Sequence, residues 1–385
     1  MNDRTARQGE QATSLRYRLM ELAASRDDVI SLGRGDPDLA TPAGIWEAAL
    51  RKLERPPRST PVRGSEELRA AIARRYAEEN GLSLDPEREI LITNGGQEAL
   101  FLAMLALVDP GDRVATPDPR YSSYDQAIGA AGGELVEIPT GVERDFVLQA
   151  DDVRTYTADA KLLVLVNPSN PTGAFVAADG VRAIAQAIQD TDTIVISDEI
   201  YESVVFDGER LLSLAACDGM RDRTVTLSGF SKAYAMTGFR VGYLLGNPSF
   251  IDAVEALKAA TSGPCPLFSQ YAAQAALEQE HDSRREFLEI YTRRRARLMA
   301  GLDELGIPYG FPGGGLFLWA DLSRFGIDAE QFCYRLLEAT GVLLFPGRSF
   351  GDRWQNWVRI SLLAPEDRIG DAIERMHGFV ESLAR

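Results

Sequence analysis

The feature that most constrains the fold is a repeated alternation of short apolar runs and helical patterns in the middle of the chain. The run EILIT is followed by the helical pattern GQEALFLAMLALV, KLLVLV is followed by GVRAIAQAIQ, and TIVIS precedes DEIYESVVF. Short β-rich apolar runs are typical of strands buried on both faces, and strands that alternate with helices form parallel βαβ units. The sequence therefore predicts an α/β fold whose largely parallel sheet is covered by helices on both faces.

The chain changes character towards its C-terminal end. A helix-forming stretch from about Ser269 to Gly306 separates the α/β part from a last segment with the strand patterns GLFLWADL and WVRISLL, which is typical of an α+β domain. A chain of 385 residues exceeds what one hydrophobic core usually supports, so we expect more than one domain. We place the junction in this helical stretch.

Charge and hydropathy argue against nucleic-acid and membrane partners. Asp and Glu number 57 against 41 Lys and Arg, which gives a net charge of −16, and no basic run stands out. The longest apolar runs, such as ALFLAMLALV, are too short to span a bilayer, and the N-terminal segment has no apolar core of the signal-peptide type. We therefore expect a cytoplasmic protein.

Cysteine and histidine usage argues against metal and triad chemistry. The three cysteines, Cys217, Cys265 and Cys333, are far apart and form no CxxC pair, which is atypical of a disulfide framework or a zinc site, and we expect no metal. The two histidines, His281 and His377, lie in charged, helix-like contexts, which makes a Ser-His-Asp or Cys-His arrangement unfavourable.

Polar side chains follow three of the predicted strands. LLVLV runs into NPSNPTG, which contains Asn170; TIVIS runs into Asp198 and Tyr201; and RTVTL runs into SGFSK, which ends at Lys232. Ligands of open α/β sheets bind beyond the carboxyl ends of the strands. Turn formation, helix capping and snorkelling explain each residue singly. Together, an amide, a carboxylate, a phenol and a lysine at one edge are what a pyridine ring with a phenolic oxygen and an aldehyde requires.

Eight segments give the chain a resemblance to a known family. The chain resembles the class I/II aminotransferases of pyridoxal-phosphate (PLP) fold type I over nearly its whole length, and the matching segments follow the family's order: SLGRGDPDLATP, GSEELRAAIARRY, TNGGQEAL, PDPRYSSY, NPSNPTG, SDEIY, SGFSKAYAMTGFRVGY and FPGRSFG with WVRIS. The resemblance implies a large PLP-binding domain over residues 46–280, with a mostly parallel seven-stranded sheet flanked by helices. It also implies a smaller α+β domain from residues 1–45 and 281–385, and a homodimer with the active site near the subunit interface.

The resemblance gives catalytic roles to Lys232, Asp198 and Tyr201. Lys232 would form the Schiff base with the PLP aldehyde and then carry a proton from the substrate Cα. Asp198 would keep the pyridine nitrogen protonated, and Asn170 and Tyr201 would hydrogen-bond the phenolic oxygen. Further cofactor contacts are implied for an aromatic that stacks on the ring and for donors to the phosphate: Tyr121, Gly95, Gly96, Gln97, Ser231 and Arg240.

Substrate contacts are implied for a second group of residues. Arg359 of WVRIS would pair bidentately with the α-carboxylate, close to the backbone of Gly35 and to Asn170. Gln97 stands where an aspartate-specific subgroup has a lysine, and Arg34 would replace that charge and favour acidic substrates; Arg63 and Arg348 are further candidates. Ser59 stands where many relatives carry a tyrosine that reaches the phosphate of the neighbouring subunit.

These residues favour a PLP-dependent aminotransferase that moves the amino group of an L-amino acid to a 2-oxo acid by a ping-pong route. Two alternatives stay open at this point. One is different PLP chemistry on amino acids, namely β-elimination, decarboxylation or racemisation, and the other is a non-catalytic PLP-binding protein. The sequence names neither the amino donor nor the acceptor.

Overall fold

The strands form three sheets in the computed structural model of the protein, which describes residues 16–54, 60–279 and 281–383. They are β1 (Ile30–Ser31), β2 (Ile90–Thr93), β3 (Arg113–Asp118), β4 (Glu134–Pro139), β5 (Leu162–Val166), β6 (Ile194–Asp198), β7 (Thr224–Gly229), β8 (Gly242–Leu245), β9 (Phe317–Asp321), β10 (Val342–Leu343), β11 (Phe345–Pro346) and β12 (Trp357–Ser361). Ser59 lies outside the described residues.

Strands β2 to β8 build one seven-stranded sheet in the order β2-β8-β7-β6-β5-β3-β4. Strand β8 runs antiparallel to both of its neighbours, and the remaining pairs are parallel. Every residue of β5 and of β7 is buried, as the continuous apolar runs predict for strands covered on both faces. The predicted α/β architecture, with its mostly parallel seven-stranded sheet, is confirmed.

Helices cover both faces of this sheet. Further helices, α9 to α12, follow the last strand of the sheet along the chain. Residues 16–24 form α1, and the later helices are α2 (Ala43–Leu53), α3 (Glu66–Asn80), α4 (Gly96–Leu107), α5 (Ser123–Ala131), α6 (Ala150–Thr157), α7 (Ala178–Ile188), α8 (Pro248–Thr261), α9 (Leu267–Gln279), α10 (His281–Glu304), α11 (Ala329–Thr340) and α12 (Glu366–Leu383). Of the described helices, none combines the length and the apolar character that crossing a bilayer requires.

The helical pattern predicted in DEIYESVVF is wrong, because residues 199–206 form turns and an extended stretch instead. The Asp198 carboxylate accepts a hydrogen bond from the Ile200 amide, which closes a turn directly after the strand. Further along, Val205 forms a β-bridge with Gly314. This bridge connects the segment after β6 to the residues just before β9.

The second part of the fold joins the two ends of the chain. Strands β11, β12 and β9 form an antiparallel sheet, and β1 pairs in parallel with β10. Leu19 and Ile30 pack in one hydrophobic core with residues of α11 and α12. The N-terminal segment therefore packs with the C-terminal part of the chain.

The register of the large sheet decides where its polar strand ends meet. Val166 of β5 lies opposite Asp198 of β6, and Asp198 lies opposite Leu227 of β7. The segments that follow these three strands therefore leave the sheet at the same edge.

Candidate active site

A cavity of about 420 Å³ lies at this edge, between the large sheet and strand β12. Every site residue predicted from the sequence lines it except Gly95: Arg34, Gly35, Gly96, Gln97, Tyr121, Asn170, Asp198, Tyr201, Ser231, Lys232, Arg240 and Arg359. Arg63 and Arg348 do not line it. Arg63 pairs with Asp252 and Glu255, and Arg348 donates a hydrogen bond to Gln355.

Lys232 lies in the turn that follows β7, with its side chain only 14% exposed. Its Nζ donates to the carbonyl oxygen of Gly35 at 2.6 Å and lies 3.6 Å from Oδ1 of Asp36. Burial lowers the pKa of the Lys232 ammonium, and the Asp36 carboxylate opposes this shift only in part. Burial therefore weakens the preference for the ammonium over the neutral amine, which is the nucleophilic form.

Asp198 is the buried last residue of β6. Its Oδ2 accepts a hydrogen bond from the Tyr124 hydroxyl at 2.8 Å, and its Oδ1 accepts one from the Ile200 amide at 3.1 Å. Burial raises the pKa of the Asp198 carboxyl to about 6, because these two hydrogen bonds only partly offset the loss of water. Among the described residues, no cationic side chain forms an ion pair with it. The site thus offers a buried carboxylate to a cation from outside the protein.

Arg359 lies in the middle of β12 and is 4% exposed. Its Nη1 donates to Oδ1 of Asn170 at 2.9 Å, and its Nη2 donates to the carbonyl oxygen of Gly33 at 2.6 Å. Its Nε is buried without a hydrogen-bond partner. Burial lowers the pKa of Arg359 to about 9, which still leaves the guanidinium charged at neutral pH. A buried cation bound by neutral oxygens is suited to an incoming carboxylate.

Two tyrosines complete the walls of the cavity. Tyr201 is buried and packs edge-on against Phe317 with ring centroids 5.9 Å apart, and burial raises the pKa of its phenol. Tyr121 packs edge-on against Tyr124 and donates from its hydroxyl to Oε1 of Gln97 at 3.3 Å. Gln97 therefore faces a phenol and carries no charge towards the cavity.

The beginning of α4 forms a cradle with Arg240. Helix α4 starts at Gly96 without a side-chain cap, and Gly95 before it adopts φ +84°. The positive φ favours glycine there, and a Cβ atom on Gly95 would lie 2.7 Å from Nη2 of Arg240, so the guanidinium would have to move away from the helix start. An uncapped helix N-terminus beside a guanidinium favours an anion.

These residues fit PLP, the cofactor that the sequence resemblance implies. The uncapped helix start and Arg240 suit its phosphate, and the buried, unpaired Asp198 suits its protonated ring nitrogen. Lys232, with its desolvated amine, opens on the same cavity. The side-chain chemistry of the cavity thus covers each polar part of the cofactor.

Three titratable side chains of the cavity lining were not predicted from the sequence: Arg16, Asp36 and Tyr124. Tyr124 belongs to the quoted segment PDPRYSSY, but its position on the buried face of α5 is equally typical of core packing. Asp36 follows Gly35 in the GDPD segment. Arg16 comes from α1 and donates to the Ser122 hydroxyl, a contact across 106 residues that no local pattern indicates.

Comparison with known proteins gives one consistent result. The family model described as aminotransferase class I and II matches residues 27–376. An aspartate aminotransferase from Pyrococcus abyssi is 36% identical over 93% of each chain, and aromatic-amino-acid aminotransferase 2 from Thermococcus litoralis is 34% identical over 93% of each chain. Among solved structures, the aspartate aminotransferase from Thermus thermophilus with maleate superposes with a TM-score of 0.88 at 35% identity, covering 95% of this chain and 96% of that one.

Proposed function

The chain belongs to the class I and II aminotransferases, and on this premise we propose that the cavity of about 420 Å³ is its active site, with PLP held between the large sheet and β12. The family uses PLP to move amino groups between L-amino acids and 2-oxo acids, and the protein is an aminotransferase. When bound, PLP supplies an aldehyde that captures amines covalently and a ring that accepts the electrons released at the substrate Cα.

Several residues would hold the cofactor. Asp198 would accept a hydrogen bond from the protonated ring nitrogen, Asn170 and Tyr201 would face the phenolic oxygen, and Tyr121 would pack on the ring. The phosphate would bind to the start of α4 and to nearby side chains: Gly95, Gly96, Gln97, Ser231 and Arg240. Lys232 is the covalent anchor and the base that moves the proton at the substrate Cα.

Arg359 would orient the amino acid through its α-carboxylate. The guanidinium fork is already buried and fixed by two hydrogen bonds, so a carboxylate that pairs with it gains two charge-assisted bonds at low entropic cost. The Gly35 backbone lies beside the fork, since a Cβ there would be 3.9 Å from Nη2 of Arg359.

One observation carries this proposal. The two buried cations of the cavity, Lys232 and Arg359, both donate to backbone carbonyl oxygens of the short segment that contains Gly33 and Gly35. A cation that serves stability alone is normally paired with a carboxylate when it is buried. Here Arg359 has only neutral, exchangeable partners, and Lys232 donates to a neutral oxygen while the exposed Asp36 carboxylate lies 3.6 Å away, so both side chains stay available to a ligand.

Assembly and location follow from the family and stay proposals. We propose a cytoplasmic homodimer whose active sites lie near the subunit interface. We also propose the domain division at residues 45/46 and 280/281, which the shared core of Leu19, Ile30 and the C-terminal helices supports.

The direct test is a half-reaction screen with a matched pair of variants. Mixing the PLP-loaded protein with single amino acids should change the cofactor absorbance and release a 2-oxo acid. Lys232→Ala should lower this rate roughly hundred- to ten-thousandfold, since a positioned proton carrier contributes that much. Lys161→Ala should leave it unchanged, because Lys161 pairs with Asp109 and Asp112 away from the cavity. Full activity in Lys232→Ala, or release of ammonia or carbon dioxide in place of amino transfer, would refute the proposal.

A further inference from the structure

A buried ion pair lies behind the start of α4, outside the cavity lining. Lys258, in the last turn of α8, is fully buried, and its Nζ donates to Oε2 of Glu98 at 2.6 Å and to Oγ of Ser262 at 3.2 Å. Glu98 lies in the first turn of α4, and its side chain is 16% exposed. Neither residue of the pair lines the cavity. Removing both charges from water is costly, and apolar side chains would fill the same space without that cost, so packing alone does not account for the pair.

Glu98 connects this ion pair to the turn that begins α4. Its Oε2 also accepts a hydrogen bond from the backbone amide of Asn94 at 2.6 Å, and its Oε1 accepts one from Nδ2 of Asn94 at 2.9 Å. The next residues of the turn, Gly96 and Gln97, line the cavity, and no side chain caps the helix start. Glu98 therefore fixes the turn without using the first-turn amides that an anion needs.

A carboxylate at this position would weaken anion binding if it had no counter-charge. A negative charge in the first turn of a helix interacts with the positive end of the helix dipole, so it opposes an anionic ligand at the same place. Burial alone would raise the pKa of the Glu98 carboxyl, but hydrogen bonds from Lys258, Ser262 and Asn94 hold that pKa below its ordinary value. Glu98 is therefore ionised at neutral pH, and Lys258 supplies the opposite charge at hydrogen-bond distance.

We propose that Lys258 is a positioning residue for the cofactor phosphate, because it holds Glu98 against Asn94 and cancels the charge of Glu98. The proposal rests on the proposed function, which puts the PLP phosphate at the start of α4 beside Arg240. Lys258 does not line the cavity, so it acts through Glu98 and Asn94. The carbonyl oxygen of Asn94 also accepts a hydrogen bond from Nη2 of Arg240 at 3.5 Å, which connects the ion pair to the other phosphate-binding group.

The competing interpretation is that the ion pair only fastens α8 to α4. Loss of the pair would then lower the free energy of unfolding and weaken every ligand of the cavity to the same extent. Under the proposal, loss of Lys258 weakens ligands that carry a phosphate and has little effect on ligands without one. PLP and pyridoxal share the ring and the aldehyde and differ in the phosphate, so the ratio of their affinities separates the two interpretations.

The test measures the PLP-to-pyridoxal affinity ratio by absorbance titration of the cofactor-free full chain at pH 8. The wild type should prefer PLP, and Lys258→Met, which removes the charge and keeps a long side chain, should lower the ratio roughly tenfold, the effect of one charge at a partly buried helix N-terminus. Adding Glu98→Gln to Lys258→Met should restore most of the ratio, because the amide oxygen still accepts from Asn94 and no charge is left unpaired. Lys161→Met should keep the wild-type ratio, since the ion pairs of Lys161 lie away from the cavity.

The outcomes separate this proposal from the proposed function. An unchanged ratio in a folded Lys258→Met protein, or a double variant that is as impaired as Lys258→Met, would overturn the role of Lys258. If Lys258→Met does not fold, Glu98→Gln decides, because the proposal expects its ratio at or above the wild-type value and a fall would contradict it. A wild type that binds pyridoxal as tightly as PLP would overturn the placement of the phosphate at α4. A wild type that transfers no amino group would overturn the proposed function itself.

Discussion

Two cavities in the described part of the chain differ in how their charges are balanced. The candidate active site has a volume of about 420 Å³, and a second cavity between α3 and α10 has about 900 Å³. In the larger cavity the protein neutralises its own charges, because Arg75 pairs with Glu202 at 2.6 Å and Arg284 pairs with Glu79 at 2.5 Å. In the smaller one, Arg359 is bound by an amide and a carbonyl oxygen. The unpaired charge of Arg359, and not the cavity volume, indicates which of the two cavities binds a ligand.

The same contrast appears in two adjacent residues at the end of β6. Asp198 lines the active site, and Glu199 lines the second cavity. Oε1 of Glu199 accepts hydrogen bonds from Ser197 at 2.9 Å and from Ser213 at 2.8 Å. Burial raises the pKa of both carboxyls, to about 6 for Asp198 and about 7 for Glu199. We expect bound PLP to change the pKa of Asp198 and to leave the pKa of Glu199 unchanged.

The largest expected difference is catalytic. Asp198→Asn removes the anion that would hold the ring-nitrogen proton, and losing one partner of a buried ion pair costs about 3 to 5 kcal/mol. The half-reaction rate should therefore fall roughly a hundred- to a few thousandfold. Glu199→Gln should keep the rate within about threefold, because it keeps the shape of a side chain that faces serine hydroxyls. Equal losses in stopped-flow half-reactions would contradict the proposed separation of the two carboxyls.

The next difference concerns stability against pH. A carboxyl whose pKa is higher in the folded than in the unfolded state favours folding when protonated, so its contribution is lost as the pH rises through the interval between the two values. For Asp198 this interval runs from 3.8 to about 6, and for Glu199 from 4.5 to about 7. Raising the pH through either interval should lower the free energy of unfolding of the cofactor-free protein by about 3 kcal/mol.

Cofactor saturation should separate these two contributions. A protonated ring nitrogen beside Asp198 lowers the pKa of that carboxyl and removes its pH dependence, whereas the dependence due to Glu199 remains. Denaturant titrations from pH 4 to pH 8, with and without PLP, measure both. Asp198→Asn should remove about half of the pH dependence of the cofactor-free protein, and Glu199→Gln should flatten the curve of the loaded protein. If the PLP-loaded Glu199→Gln protein still lost stability between pH 4 and pH 6, PLP would not approach Asp198.

The smallest difference concerns the hydroxyls that hold each carboxyl. Tyr124→Phe removes the hydrogen bond to Asp198 and should weaken PLP binding by about 1.5 kcal/mol, roughly tenfold. Ser213→Ala removes the corresponding bond to Glu199 and should lower the free energy of unfolding by about 1 kcal/mol without changing PLP affinity. Fluorescence titration with PLP and urea unfolding measure the two effects. A loss of PLP affinity in Ser213→Ala would show that the hydrogen bonds of Glu199 influence the PLP site.

Much of the fold could be predicted from local pattern. The continuous apolar runs located β5, β6 and β7, and the polar residues after them fixed the edge at which Asn170, Asp198 and Lys232 meet. The helix predicted after Asp198 is absent, because Val205 forms a long-range bridge with Gly314 that the periodicity of the segment does not indicate. Local pattern carries no information on such contacts.

The candidate site was predictable only for residues that lie next to a strand end or in a recognised segment. Tyr124 looks like a core residue until its hydroxyl is seen on Asp198. The contact of Arg16 with Ser122 depends on how α1 lies across the fold. The bonds from Lys232 and Arg359 to Gly35 and Gly33 involve backbone oxygens, which every residue has and no motif distinguishes.

Those two carbonyl oxygens have a kinetic consequence. Under the proposed function, a substrate carboxylate at Nη2 of Arg359 would compete with the Gly33 oxygen, and a carbonyl group at the Lys232 amine would compete with the Gly35 oxygen. Bulkier residues are resisted there, because a Cβ on Gly33 would lie 3.1 Å from the Phe345 ring and one on Gly35 would lie 3.3 Å from the Phe317 ring. This two-glycine segment therefore supplies neutral oxygen partners to both side chains while no ligand occupies the cavity.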